Sequence, residues 1–441
     1  MPTFAQLSVI EFLKLLARIV LWLEPLALAL MTLAFWYPTP ARLDWLWLLW
    51  LLPLILAARY IAHERLITRT PLDGWFLAFL VLGALNVYIA PYTRGLLMLA
   101  RPLLGMALYY AMIESARVSG RMRGPLQAVT MLGLLVGVLA IGSTQWSNKA
   151  PALDALIAAM PTLRGFPGAE SGFNANEMAG ALAWLVPLMA GLALYRWQQR
   201  QPRWAVIAAF VLLFTALFLG QGRAAIIGVF LALLLLIPLL IRRNLMRGLA
   251  FAALALMIAA QVGVSISFAQ QQIEQVEAAA STGTNAEPVQ LRDAQTIEAR
   301  LQIWSSALAI LRDYPLTGVG LSMFRDGRVR ADYPVPMLEG RILPHAHNEL
   351  LQVASDMGLP GLIVYAGIHA AAGYMLLQSW RRGDGLARAV SAAVAGGLLA
   401  HTIYGLADAI TLWDRFAFVF WMLLGLTGAQ YTLVQQNANS R

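Results

Sequence analysis

Cysteine is absent from the 441 residues, histidine occurs five times, and charged residues make up only 12% of the chain. The first absence excludes disulfides and thiolate metal sites. The shortage of charge excludes an ordinary soluble globule, whose surface needs roughly 25% Asp, Glu, Lys and Arg. No Asp-x-Asp pair occurs either, so a magnesium ion gripping a diphosphate would lack its usual oxygen ligands. What is abundant is apolar: 59% of residues are hydrophobic and the mean hydropathy is +0.65. Surface of that kind faces lipid, and the fold class expected is an all-α, polytopic membrane helical bundle.

Apolar runs of bilayer-crossing length occur roughly twelve times. They are Ile19–Trp36, Leu43–Ala62, Leu72–Pro91, Leu96–Ser115, Leu126–Ile141, Met178–Tyr195, Trp204–Leu219, Ala224–Ile241, Leu245–Ser267, Leu350–Leu377, Ala387–Ile403 and Leu412–Leu433. Gly358-Leu-Pro-Gly361 is expected to divide the tenth in two. The first run lacks a small-residue cleavage site and reads as a retained span, with Met1–Arg18 beginning as an interfacial amphipathic helix.

Basic residues orient the spans. Arg59/Arg65/Arg69, Arg117/Arg121/Arg123, Arg196/Arg200/Arg203, Arg242/Arg243/Arg247 and Arg381/Arg382/Arg388 occupy alternate connections, whereas the short loops on the other face hold few, among them Arg42, Arg94, Lys149 and Arg164. Positive loops stay cytoplasmic, so both termini are expected inside. The same pattern accounts for the net charge of +9. The arginines lie in short juxtamembrane loops beside anionic lipid and form no stripe that would point to nucleic acid.

One segment departs from this rhythm. Three domains are expected: 1–267 with spans one to nine, 268–346 as a long extracytoplasmic insertion, and 347–441 with the last three spans. The insertion begins with polar, small residues (Ala278-Ala-Ala-Ser-Thr-Gly-Thr-Asn285) that suggest a mobile stretch. Leu291, Ile297, Leu301, Trp304, Leu308 and Leu311 then recur at helical spacing up to Tyr314-Pro315, so an amphipathic helix is expected on the outer surface, with Arg300 bordering its apolar face. Gly318 and Gly320 allow a turn, and Asp332–Arg341 leads to Leu343-Pro-His-Ala-His-Asn-Glu-Leu-Leu-Gln352.

Several outer-face residues carry candidate chemistry, and each has a plain structural alternative. Arg223, in the tight turn Gly220-Gln-Gly-Arg223, cannot snorkel far and reads otherwise as an interfacial anchor. Arg300 and the pair His345/His347 read otherwise as surface-helix and capping residues. Asn174, with Asn176 beside it in Gly172-Phe-Asn-Ala-Asn-Glu177, is a natural helix cap. Arg101, two turns inside the fourth span, needs a carboxylate, a cavity or an anionic ligand; Asp408 lies just outside the eleventh. Together they supply arginine forks for a diphosphate, which need no metal, and a base for a hydroxyl proton. Glu349 and Glu339 are fallback bases.

Taken in order, Gly222-Arg223, Arg300 with Trp304 and Pro315-Leu-Thr-Gly-Val-Gly320, then His347-Asn348 with Leu351-Gln352 and Gly358-Leu-Pro-Gly361 resemble the bacterial O-antigen ligases of the O-antigen ligase/polymerase superfamily. The likeness covers about the second half by motif and the whole chain by topology. It implies an inner-membrane glycosyltransferase with its active site on the periplasmic face, using no metal and no cofactor. The glycan would pass from undecaprenyl diphosphate to a sugar hydroxyl of lipid A–core, with inversion. By resemblance His347 is the base and Arg223 and Arg300 hold the diphosphate; His345, Asn348, Asp408, Arg101, Asn174 and Asn176 are supporting candidates. One departure stands out: the family's Ser-Arg-Gly turn is here Gly222-Arg223-Ala224, so any serine contact is missing. A polymerase or a protein O-oligosaccharyltransferase shares the donor chemistry and stays open. A transporter or flippase fits the span count, but no repeat of two six-span halves is evident. The orientation is checked with a reporter active only outside the cytoplasm: it should work within Ala278–Thr284 and fail after Arg441, and the reverse pattern would overturn the topology.

Overall fold

The computed structural model describes residues 8–36, 46–90, 93–146, 153–166, 169–241, 244–282, 291–338 and 343–439. Arg42, Lys149, Arg242, Arg243, Glu339 and Arg341, named above, lie outside these ranges, as do residues 283–290. The described residues are helical, with isolated bridges such as Thr144 to Phe173 in place of sheets. In hydrocarbon each backbone N–H and C=O must be paired within the chain, and a helix does this segment by segment. Nine helices among the described residues are long and apolar enough to cross a membrane, and Asp73–Ile89, Trp204–Gly220 and Asn244–Ala259 are shorter apolar stretches. Nine of the twelve expected runs thus meet a helix of spanning length among the described residues, and the third, seventh and ninth meet only the shorter ones.

The chain's contacts form two units. The first comprises Met1–Val129, Ile363–Ser391 and Leu412–Arg441. In it α1 (Val9–Trp36) packs on α2 (Leu51–His63) and α4 (Thr93–Ser119), α3 (Asp73–Ile89) packs on α4, and α4 lies along α15 (Ala417–Asn439). Gly105 gives the approach its closeness: a Cβ there would lie 2.2 Å from the Trp421 ring. Leu28, Met31, Ile55, Leu97, Ala100 and Leu104 make the adjoining core. A buried Arg59–Glu24 pair joins α2 to α1. α1 runs unbroken from Val9 through Arg18 into the first apolar run.

The second unit comprises Thr130–Leu362 and Ala392–Thr411. Its inner helix is α7 (Ala175–Gln198), buried on all sides from Met178 to Met189 and packed on α8 (Trp204–Gly220) and α9 (Arg223–Leu240). An all-round apolar helix of this kind belongs in an interior. The preceding segment holds α5 (Arg123–Ser143), which begins in the first unit, and the short α6 (Asp154–Ala158). After α9 comes α10 (Asn244–Thr282), then α11 (Leu291–Asp313) and α12 (Gly327–Asp332).

Two expectations for the insertion change here. Residues 269–282 continue α10 rather than forming a loose start, since Ala, Gln and Glu dominate them and are strong helix formers. The apolar face of α11 is also turned. Ile303, Ala307 and Ile310 are buried, whereas Leu301 and Leu308 are more than half exposed. Both sets have helical spacing; packing chooses between them. Ile303, Ala307 and Ile310 close on Phe324, Val335, Leu343 and Ala346, with Trp304 and Leu351 at the margin. Arg330 lies over the Phe324 ring at 4.0 Å and donates to Ser306 Oγ at 3.1 Å. Burial pushes its guanidinium down to about 10, opposed by the charge of Asp356.

The tenth run divides as expected. α13 (Glu349–Arg382) breaks at Gly358, whose φ of 67° suits glycine. The break receives the Pro315–Gly320 turn. Leu359 N–H donates to Pro315 O (2.7 Å), while Val319 and Gly320 N–H donate to the carbonyls of Ser355 (2.9 Å) and Asp356 (3.0 Å). A Cβ on Gly358 would lie 2.6 Å from Pro315 O. Gly358→Ala should therefore lower stability by about 1–2 kcal/mol from backbone strain alone, plus the clash. Gly248→Ala, in α10 with nothing within 4 Å of a Cβ, should be neutral or stabilising by up to about 1 kcal/mol. Thermal unfolding of both in detergent measures the difference, and equal midpoints would remove the close-approach argument.

Candidate functional site

Three side chains separated by up to 63 positions converge on one carboxylate oxygen. Asp408 follows α14 (Gly385–Gly405), and its Oδ1 lies 3.2 Å from His347 Nδ1 and 3.5 Å from His345 Nε2. The same oxygen accepts the Ala409 N–H at 3.0 Å. The two imidazoles meet edge to face, with centroids 4.4 Å apart. Asp408 is buried and the histidines are about a quarter exposed, so a solute can reach the rings but not the carboxylate.

Hydrogen bonding sets the imidazole tautomers. An ionised carboxylate only accepts, so the His347 proton sits on Nδ1 and leaves Nε2 with its lone pair. His347 N–H donates to His345 Nδ1 at 3.2 Å; that nitrogen is an acceptor, and His345 keeps its proton on Nε2, facing Asp408. Burial pushes the Asp408 carboxyl up, but the His347 bond, the two imidazoles and the Ala409 N–H outweigh it and hold the group below its ordinary value of 3.8.

The backbone that presents His347 is constrained from several directions. His347 itself has φ of 48°, a left-handed conformation uncommon outside glycine, although histidine is among the residues that adopt it more readily. Asn348 caps α13, its Oδ1 accepting Leu351 N–H at 3.1 Å, while its Nδ2 donates to Leu406 O at 3.2 Å. That second bond ties the start of α13 to the segment carrying Asp408. From inside, Gln352 accepts Ala346 N–H at 2.6 Å and donates to Asp356 at 2.8 Å. Asp356 also takes Ser322 N–H at 2.9 Å.

Arg223 and Arg300 sit on α9 and α11. Arg223 opens α9 with its side chain exposed, after Gln221 in a left-handed turn. The neighbouring Gly222 lies so close to α7 that a Cβ would stand 2.5 Å from Ala179. The next residue of α7, Gly180, gives its carbonyl to His401, which in turn meets Glu349, two positions from His347. Arg300 is half-buried on α11, whose Ile303 and Ala307 share a core with Ala346. Asn174 is the α7 cap, accepting the N–H groups of Asn176 (2.8 Å) and Glu177 (3.3 Å). Arg101 belongs to the first unit and donates to Trp413 O at 2.8 Å, in a cleft with Asp414, Arg415 and Trp421.

Sequence reasoning left His401 unmarked, although a histidine inside an apolar run is the kind of residue that merits marking. It also offered Glu349 as an alternative base. Glu349 is buried, and one of its oxygens lies 3.1 Å from His401 Nε2.

Helices of this length and apolarity make the chain a multi-pass membrane protein. Residues 208–366 match the family model described as O-antigen ligase, as the order of motifs implied. Over that middle stretch, about a third of its length, the chain is similar to the O-antigen ligases. The matched stretch takes in Arg223, Arg300, His345 and His347 and ends before Asp408. No curated protein matches the chain.

A carboxyl held below its ordinary value stabilises the fold fully above that value and loses the contribution as pH falls through the folded-state value. Asp408→Asn should therefore be about 2 kcal/mol less stable than wild type at pH 7, the worth of a charge-assisted hydrogen bond. The gap should persist down to pH 3.8 and close only below it. Unfolding midpoints at pH 7, 5 and 3.5 check the sign; a gap already closed at pH 5 would mean Asp408 is not depressed.

Proposed function

We propose that the enzyme transfers a glycan from undecaprenyl diphosphate to a sugar hydroxyl of lipid A–core at the periplasmic face of the inner membrane. The observation that carries this reading is the 3.2 Å contact from His347 Nδ1 to a buried, ionised Asp408. It leaves Nε2 as the basic nitrogen on an exposed ring edge, and Asp408 stabilises the imidazolium formed when that nitrogen takes a proton.

In the reaction, His347 Nε2 accepts the proton of the acceptor hydroxyl as its oxygen bonds to the anomeric carbon. The bond from that carbon to the diphosphate oxygen breaks on the opposite side, which inverts the centre, and undecaprenyl diphosphate departs. Arg223 and Arg300 meet the charge that grows on the leaving oxygens. His345 supplies Asp408 with a second donor, and Asn348 holds the backbone between base and carboxylate. Lipid A–core as acceptor rests on the ligase likeness; the insertion around α11 and α12 is where acceptor choice would reside.

A specific observation supports a second reading. His345 Nε2, His347 Nδ1 and an Asp408 oxygen lie within 4.8 Å of one another, a spacing a divalent cation could bridge. Purified enzyme with carrier-linked glycan and lipid A–core decides between them. Under the base reading, turnover survives excess EDTA. His347→Ala loses about 10²–10⁴-fold in kcat with donor binding kept, and Asp408→Asn falls comparably because an amide N–H facing Nδ1 reverses the tautomer. Arg223→Ala and Arg300→Ala each lose about one to two powers of ten, with lysine a partial replacement. Collapse under EDTA restored by a metal would replace the base by a cation. Normal turnover in His347→Ala would remove the reading altogether.

A further inference from the structure

His401 lies inside α14 at 2% exposure, and both of its ring nitrogens face acceptors. Nδ1 is 3.0 Å from the carbonyl oxygen of Gly180 in α7, and Nε2 is 3.1 Å from Glu349 Oε2 in the first turn of α13. A backbone carbonyl only accepts, so Nδ1 carries a hydrogen. The Nε2–Glu349 contact then requires a second proton between imidazole and carboxylate. The ring is stacked on Trp184 with centroids 3.5 Å apart and planes 14° from parallel, which fixes its plane while the two hydrogen bonds fix its rotation.

The surroundings are shaped to this arrangement. A Cβ on Gly405 would lie 2.7 Å from Glu349 Oε2, and one on Gly180 would lie 2.5 Å from the Tyr404 ring. Glycines thus let α7, α13 and α14 approach closely enough for one imidazole to touch all three. Glu349 is two residues from His347 and one from the Asn348 cap, so the helix end that presents His347 is held at both flanks. Asn348 grips the α14–α15 segment, and Glu349 grips α14 and, through the imidazole, α7.

We propose that His401 is a positioning residue: through Glu349 it holds the start of α13 and thereby the backbone from which His347 acts. The proposal rests on the reading of His347 as base, and Glu349 has no proton-transfer role in it. Since what counts is the hydrogen bond and not the charge, an amide at position 349 can replace the carboxylate, giving N–H to Nε2 while Nδ1 keeps its hydrogen toward Gly180.

The test compares His401→Leu, His401→Gln, Glu349→Gln and Glu349→Leu by steady-state kinetics, thermal midpoint and amide hydrogen exchange. His401→Leu should lower kcat about a hundredfold, the effect of a displacement near 1 Å at a catalytic group, with donor KM within about threefold of wild type, the worth of a neutral hydrogen bond. Exchange should quicken in residues 346–352. His401→Gln, whose amide can reach Glu349, should recover part of the rate, and Glu349→Gln should retain far more turnover than Glu349→Leu. Glu349→Gln as inactive as His347→Ala would overturn the proposal by giving the carboxylate chemistry of its own. So would unaltered kcat in His401→Leu, or lost kcat with unaltered exchange at 346–352. His347→Ala, run alongside, keeps the two readings apart: full turnover there sinks the base assignment, while the exchange data still report whether His401 holds this turn.

Discussion

Within hydrocarbon a helix cannot be interrupted without something else pairing the backbone groups it releases. The break at Gly358 is the place where this constraint organises the second unit. Ser355 and Asp356 carbonyls are taken by Val319 and Gly320, and Pro315 accepts from Leu359. The Pro315-Leu-Thr-Gly-Val-Gly320 and Gly358-Leu-Pro-Gly361 motifs are therefore two halves of one joint. With the joint made, α11 and the Phe324 core are anchored on α13, and Leu343–Ala346 is drawn into that core. The histidine segment leaves from a rigid base.

Charge near the site is handled in two separate ways. Asp408 gathers donors on one oxygen, which keeps it ionised although buried and gives His347 a defined tautomer. Glu349 instead meets the buried His401 imidazole at 3.1 Å, and that ring is stacked on Trp184. A buried pair of that sort contributes little net stability but is costly to break from one side. Its use is geometric. The division leaves one carboxylate behind the exposed imidazoles and one beneath the helix that carries them.

Nine of the spans and the broken tenth helix were legible, because lipid exposure writes itself into long apolar runs and because Gly358 and Pro360 punctuate the sequence. The cap at Asn174 was legible too, since capping is local chemistry. The face of α11 was not. Leu301/Leu308 and Ile303/Ala307/Ile310 both satisfy helical spacing, and only the position of Phe324 decides which turns inward. Nor was the continuation of α10 through Thr282 read correctly, because small polar residues were weighted above the helix propensity of Ala, Gln and Glu.

For the site, the residue types were visible as a His-Ala-His motif and scattered arginines, yet their partnerships were not. Asp408 is 61 positions from His347 and His401 is 221 from Gly180, and nothing local in the chain couples such distances. What the sequence by itself determined is a multi-pass membrane protein with basic and imidazole groups at particular helix ends, since hydropathy, charge placement and turn residues are properties of short windows. Only the tertiary structure decided that Asp408 meets His347, that Glu349 meets His401, and that His401 joins three helices. Each of those depends on which helix ends are packed side by side, and close packing at glycines, not any local pattern, sets that.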